Sequence, residues 1–444
     1  MAKRPVAQGM RIFLLIWFGQ LVSLMGSGLT SFALGVWVYE RTGSVTQFAL
    51  ISVFARLPAI LLFPFAGALI DRWNRRWAMI LSDSGAGLST VAVALLLVTG
   101  RLEIWHIYLA VAVSSAFSAF QWPAYSAATT LLVPKQHLGR ASGMIQLGEA
   151  AAQFLAPMLA AGLLSVIQLE GIILTDFATF LFSLVTLLNI RFPDAKTHTV
   201  RKAGNLSLLR EMAYGWTYIT ARPGLLGLLI FIAVSNFAIG IAQVLFAPLI
   251  LAFASVAVLG TVQSIACSGM VVGSILMSVW GGPKRRMYGV FGFELLLGLG
   301  IFFLGVRASI PLIAIAGFGA YFSAAFFLGS GQAILQTKVA PEVQGRVFAV
   351  RRAIGGSSLP LGYLAAGPLA DRIFEPLMAA NGLLAGSIGQ IIGVGTGRGI
   401  GLLLAIAGVM VMLVTVAGYQ YPRLRLLEDE LPDVIAGEPA AKTQ

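Results

Sequence analysis

The chain has 444 residues, of which 58% are hydrophobic and only 11% charged, with a formal net charge of +12. Soluble domains carry about 25% charged residues, so this composition excludes an ordinary soluble enzyme and implies a polytopic membrane protein. The apolar runs are continuous rather than alternating by twos, which makes the spans helices and not barrel strands.

Lys3, Arg4 and Arg11 precede an apolar stretch longer than a signal-peptide core, so the N-terminus reads as cytoplasmic and the first span as retained. Six spans are expected at 12–38, 46–70, 77–99, 105–128, 139–166 and 171–190. A polar stretch follows over 191–222, and then six more spans at 224–251, 257–280, 287–306, 309–333, 346–371 and 399–420. The expected organisation is an N-terminal six-helix bundle (1–190), a cytoplasmic linker (191–222), a C-terminal six-helix bundle (223–421) and a cytoplasmic tail (422–444). In the linker, LSLLREMAYGWTYI (206–219) spaces its apolar residues helically. It reads as an amphipathic helix on the inner membrane surface, a flexible linker being the alternative. The tail from Tyr421 is polar, contains proline and is expected to be mobile.

Of the 30 Lys and Arg, 24 fall on segments and helix ends that this topology places inside. Arg41, Arg101, Arg307, Arg372 and Arg398 fall outside, and Arg56 lies within a span, so both termini are assigned to the cytoplasm. Basic residues confined to short loops, without a stripe of interleaved aromatics, argue against a nucleic-acid partner. Cys267 is the single cysteine, and His106, His137 and His198 are scattered, so no metal site and no cofactor is expected.

The halves echo each other. Gly139–Arg140 in VPKQHLGRASG (133–143) matches Gly345–Arg346 in VAPEVQGRVFA (339–349), and DRWNRR (71–76) matches GGPKRR (281–286). A repeat of this kind places a binding site between two six-helix halves. A second echo joins GALIDR (67–72) to GPLADR (367–372), at the inner end of the second span and the outer end of the eleventh.

GALIDRWNRRWAMI (67–80) resembles the loop signature between the second and third helices of the major facilitator superfamily. Gly67, Leu69, Asp71, Arg72, Arg75 and Arg76 fill that pattern, and Asn74 stands where the signature has its second Gly. With GPLAD late in the chain, the wording is most similar to an exporter branch that includes macrolide-efflux and enterobactin-exporter types. The resemblance covers essentially the whole chain. It implies a bacterial plasma-membrane transporter, and it implies that Asp71 and its arginines, with Arg140 and Arg346 on the other inner loops, form a cytoplasmic gate. Charge-assisted hydrogen bonds within such a cluster can bridge helices, while a purely topogenic role for the arginines is the alternative. APMLAA (156–161) resembles a degraded antiporter motif in which Ala replaces Gly, and plain helix packing explains it equally well.

Glu149 lies nine residues past Arg140, roughly 13 Å into the membrane. An ionised carboxylate there costs about 3 kcal/mol unless paired or hydrated, so Glu149 is the proton-coupling candidate, a structural carboxylate being the alternative. Arg56 is the other costly charge and is expected at a partner or in a wet cavity. Asp83 and Glu294, on helices that the resemblance makes peripheral, are expected to be structurally paired, and Asp176, near the outer interface, to be solvated. Gln20, Ser23, Ser27 and Thr30 recur at helical spacing on the first span, and Ser114, Ser118, Gln121 and Tyr125 on the fourth. The resemblance places the first, fourth, seventh and tenth spans around the central path. Gln20, Ser27, Arg56, Gln121, Tyr125, Gln153, Asn236, Gln243 and Tyr321 are therefore the cavity candidates, inter-helix hydrogen bonding being the alternative for half of them. GVGTGRGIG (393–401) lacks the preceding strand of a nucleotide-binding loop and reads as a glycine-rich return into the membrane.

The reading that results is an all-α major facilitator fold of twelve transmembrane helices in two pseudo-symmetric bundles. It exports a drug-like or siderophore-like amphipathic solute by alternating access with proton antiport, and it works as a monomer whose partners are the solute, protons and the lipid bilayer. A lipid or lysolipid flippase, or an importer of the same fold, is the alternative. A membrane-embedded enzyme is a remote one, for which no His–Asp, Ser–His or metal constellation is present in the sequence. Asp371 and Arg372 are expected at an outer gate complementary to Asp71, against a coincidence of helix-end chemistry.

Overall fold

A computed structural model describes residues 6–70, 75–133, 137–190, 205–339 and 341–431. For some of these, Gly67, Arg75 and Gln146 among them, only the backbone is described. Every regular element among them is helical. The long helices are α1 (Val6–Thr42), α2 (Val45–Ile70), α3 (Arg75–Val98), α4 (Ile104–Leu132) and α5 (Leu138–Asn189). After α6 (Asn205–Thr220) come α7 (Pro223–Leu251), α8 (Val256–Trp280), α9 (Arg286–Val306), α10 (Ile310–Lys338) and α11 (Pro341–Leu369). A π-helical turn (Ala370–Phe374), α12 (Glu375–Leu377) and α13 (Gly389–Ile392) lead to α14 (Arg398–Gln420), α15 (Pro422–Arg425) and α16 (Leu427–Glu430).

Ten helices are long and apolar enough to cross a membrane among the described residues. One of them, α5, contains two spans, because Gln168 takes a left-handed angle (φ 57°) and breaks the helix between them. A further span, α11, is 29 residues long, but Glu342, Arg346, Arg351 and Arg352 lower its hydropathy. The fold is thus a polytopic bundle of twelve spans.

The chain forms two compact units. The first comprises Met1–Lys202, Ile250–Ser264 and Ala366–Asp371, and the second holds the remainder. In the first unit α1 packs on α5, α2 on α4, and α3 on both α4 and α5. Two apolar clusters form its core, one around Phe13, Ile16, Met79 and Leu187 and one around Leu29, Leu34, Ile107 and Ile172. Between these two levels α1, α3, α4 and α5 carry polar side chains. At Gly26, α1 comes so close to α5 that a Cβ would collide with Thr179 and Asp176.

In the second unit α9 packs on α10 and α14. A core of Leu228, Phe231, Phe291, Phe327 and Ile334 also takes in Leu424 and Leu427 from the chain end. This corrects the expectation of a mobile tail for residues 421–431; residues 432–444 lie outside the described residues. Leu424 and Leu427 are buried, and the Glu428 carboxylate accepts the free N–H groups of Arg286 (3.2 Å) and Met287 (2.8 Å) at the start of α9. Lys338 Nζ donates to the carbonyls of Glu428 and Leu431. Apolar contact and a charge at a helix N-terminus hold the segment down, despite its polar composition. In the 393–401 segment, Gly393, Gly395 and Gly397 adopt positive φ and turn the chain into α14. Glu375 caps that helix through the N–H groups of Gly397 (3.2 Å) and Ile400 (3.0 Å).

Candidate functional site

The polar level of the first unit is organised by Asp83. Gln20 Nε2 on α1 donates to one carboxylate oxygen (2.9 Å) and to Ser183 Oγ on α5 (3.0 Å). Gln121 Nε2 on α4 donates to the other carboxylate oxygen and to Gln20 Oε1 (2.8 Å). Four helices thus meet at one carboxylate, which is only 3% exposed. The expected structural pairing of Asp83 is corrected: its partners are neutral amides. Arg76, two turns away, is turned instead to the carbonyls of Leu187 and Leu188, where a cation satisfies the unpaired C-terminal acceptors of α5.

Asp176 is corrected as well, from solvated to buried. It accepts from Ser27 Oγ (3.2 Å) on α1 and Thr90 Oγ1 (3.3 Å) on α3, which reach it because α1 and α5 approach at Gly26. Both aspartates therefore tie α1, α3 and α5 together at two depths. The polar stripe on α1 signalled this level; the identity of the acceptors had no local signal.

Glu149 stands apart from these networks. It is exposed on α5 and is the charged neighbour of Tyr125, whose buried hydroxyl has no hydrogen-bond partner among the described residues. Gln153, one turn along, is also exposed, as is Arg56 on α2; Arg56 forms no ion pair among the described residues. Beside these, an apolar cavity of about 360 Å³ lies between α3 and α4, lined by Leu88, Ala92, Leu96, Leu109, Val113 and Phe117.

In the second unit, Asn236 Nδ2 on α7 donates to the Gly355 carbonyl (2.8 Å), and the Tyr363 hydroxyl donates to Gln243 Oε1 (2.8 Å). Two cavity candidates thus fasten α7 to α11, while Tyr321 is half-buried on α10. Glu294 corrects its expected pairing too. It is fully buried on α9 beside the Ser235 hydroxyl of α7, and neither carboxyl oxygen is in hydrogen-bonding geometry with a partner among the described residues.

Of the inner-gate candidates, Asp71 and Arg72 lie outside the described residues, and Gly67 and Arg75 are described in backbone only, at the end of α2 and the start of α3. Arg140 is exposed on α5. Arg346 lies over the Tyr214 ring of α6, 5.1 Å from its centre. At the other copy of the phrase, Asp371 accepts from Ser44 Oγ (2.7 Å) and from the backbone N–H groups of Val45 (3.0 Å) and Thr46 (2.9 Å). These are the unpaired donors at the N-terminus of α2, capped by a residue more than 300 positions away in the chain. Gly367 permits the approach, since a Cβ there would strike the Thr46 backbone. Arg372 is exposed. No cluster of His, Cys, Asp and Glu suited to a metal occurs among the described residues.

Twelve helical spans with carboxylates buried among them define a multi-pass membrane protein. The sequence matches the Major Facilitator Superfamily over residues 16–363, and the chain belongs to that family. It is therefore a transporter of small molecules and not an enzyme. It is 30% identical to macrolide efflux protein A of Streptococcus pyogenes, over 81% of this chain and 90% of that protein. It is 25% identical to the multidrug efflux pump Tap of Mycobacterium bovis, over 80% and 86% respectively. Among solved structures, a bacterial homologue of the human lysosomal transporter Spinster, inward-facing and occupied, is similar with a TM-score of 0.69 at 14% identity, covering 99% of this chain and 100% of that one. A bacterial homologue of the iron transporter ferroportin, inward-facing, gives 0.67 at 14% identity over 92% and 97%. These two likenesses concern the fold alone.

Proposed function

We propose that the protein exports a sizeable amphipathic organic solute, of macrolide or siderophore-like kind, by alternating access in exchange for protons. The names of its efflux relatives support the direction and the solute class. The observation that carries the reading is the Gln20–Asp83–Gln121 junction, which commits intramembrane polar groups of α1 and α4 to a common level. Glu149 is the proton carrier in this reading, exposed on α5 where Asp83 is enclosed. Within the first unit, Ser27, Arg56, Gln121, Tyr125 and Gln153 are the proposed solute contacts, and within the second, Asn236, Gln243 and Tyr321.

Asp71 with Arg72, Arg75, Arg140 and Arg346 acts as the inner latch. Asp371 acts as the outer one by holding the end of α11 on the start of α2. The protein works as a monomer in the bacterial plasma membrane with both termini in the cytoplasm. Everted vesicles loaded with a pH probe and challenged with a compound panel test this. Solute-triggered proton movement is expected in the wild type and absent in Glu149→Gln, and coupling that survives this change removes Glu149 from its role. The apolar cavity between α3 and α4 favours a second reading, movement of a lipid or lysolipid, which headgroup-dependent binding in vesicles would support over drug efflux.

A further inference from the structure

The cavity between α3 and α4 has a length and a polar end that the export reading leaves unused. Its walls run from Gly85 to Leu96 on α3 and from His106 to Phe117 on α4. Each wall spans eleven residue steps, roughly 16 Å at the helical rise. That is the depth of one leaflet, half of a hydrocarbon core about 30 Å thick. Leu88 and Leu109 in the walls are 67% and 56% exposed, so the cavity opens sideways, toward lipid. At the deep end the two helices meet, because Gly85 lies so close to the Phe117 ring that a Cβ would collide with it. Between the ends the wall is apolar, and the Ser89 hydroxyl is turned onto the Gly85 carbonyl (2.9 Å).

The shallow end is polar. Trp105 is exposed at the start of α4, lies against the His106 ring (centres 3.8 Å apart), and donates its indole N–H to the Glu103 carboxylate (2.7 Å). An exposed tryptophan beside a span marks the headgroup level. His106 Nδ1 accepts the backbone N–H of Glu103 (3.0 Å), which fixes the neutral imidazole as its Nε2–H form. That donor has no acceptor among the described residues, and Arg101 is exposed in the same connection. Glu103, the opposite charge there, is engaged by the indole. The rim thus offers a donor and a cation to an anionic oxygen.

Lipid tails are as apolar as this wall, so hydrophobicity alone gives no preference for the cavity. Preference comes from fit and from the anchor. An unfilled channel leaves its lining without dispersion partners, and a chain seated in it brings its headgroup to His106. The volume of about 360 Å³ is at the low end for organic ligands, which suits one slender chain. Below His106 the lining has no polar side chain that could receive a headgroup, since Ser89 is bonded to its own helix.

We infer that this cavity is a resident phospholipid site. One acyl chain from the leaflet that meets the α3–α4 turn fills it, and the lipid phosphate accepts from His106 Nε2–H beside Arg101. The lipid is held and not moved, in contrast to the second reading above, and the inference goes beyond the export reading without depending on it.

The test uses full-length protein in vesicles of phosphatidylethanolamine and phosphatidylglycerol that contain a phospholipid with a photoreactive diazirine at the tail of one acyl chain. Irradiation of the wild type is expected to label the peptides around Gly85 and Phe117 more strongly than the lipid-facing parts of α9 and α14. The label is expected to saturate at one lipid per chain and to be displaced by unlabelled phospholipid, a result that depends on no variant folding. Ala92→Phe, which fills the cavity, is expected to abolish it. His106→Ala is expected to lower lipid affinity about tenfold, the worth of one hydrogen bond to a charged oxygen. Labelling no stronger there than on α9 and α14, or unchanged in Ala92→Phe, overturns the inference. Capture of a diazirine-bearing macrolide at the same peptides in place of the lipid also overturns it, as does recovery of the labelled lipid in the opposite leaflet.

Discussion

Asp83 holds two glutamine amides in a membrane interior where neither has water to fall back on. Asp83→Ala removes one acceptor from each amide, leaving only Ser183 Oγ for Gln20 and Gln20 Oε1 for Gln121, and each buried N–H left unsatisfied costs about 1–3 kcal/mol. Thermal unfolding in detergent should therefore show a clear loss of stability for Asp83→Ala and a smaller one for Asp83→Asn, which keeps an acceptor oxygen. Asp371 is the equivalent case at a helix end. Asp371→Asn weakens a three-donor cap, worth about 1 kcal/mol, and should shift the balance of conformers roughly fivefold toward opening at that end, read by cysteine accessibility on both membrane faces. An unchanged balance would reduce the second copy of the phrase to ordinary helix-end chemistry.

Sequence reasoning reached the polar stripes at this scale, because Gln20 and Gln121 recur with their neighbours at the helical period. It did not reach their acceptor, because Asp83 meets them through a tertiary register between helices 63 and 38 residues apart in the chain. The burial of Asp176 is hidden from the sequence for the same reason, since it depends on a close approach at Gly26 that no local pattern states.

At the scale of elements, hydropathy made the long helices legible within a few residues, and even the division of α5 at Gln168 falls between the two expected spans. Composition failed for the chain end. Residues 422–430 are short, charged and proline-led, yet α15 and α16 are packed, because two leucines face the core and one glutamate meets the start of α9. Glu375 at α14 and Asp371 at α2 repeat the device. Each cap comes from a different part of the chain, so a search for Ser, Thr, Asp or Asn immediately before a helix misses it. Leu427→Ala should cost about 2–5 kcal/mol, as core truncations do, and lower the midpoint of thermal unfolding. Glu428→Gln should cost less, since it keeps an acceptor and loses only the charge at the helix end.

For the whole molecule, the apolar runs, the charge bias and the loop phrase at Gly67–Arg76 were enough to specify a major facilitator fold. The solute is not written in the same way: amides, hydroxyls and aromatics on helices suit many amphipathic molecules, and the groups that select among them act by position. The proposed export needs an energy source coupled to conformational exchange, and Glu149 is the acid proposed to supply it by carrying a proton. The decisive measurement is uphill movement of a labelled macrolide in proteoliposomes under an imposed pH gradient, with unchanged chemical identity of the label verified at the end. The expected result is accumulation against the macrolide gradient that collapses with a protonophore and is lost in Glu149→Gln. Movement that only equilibrates the macrolide, whatever the pH gradient, would contradict proton-coupled export.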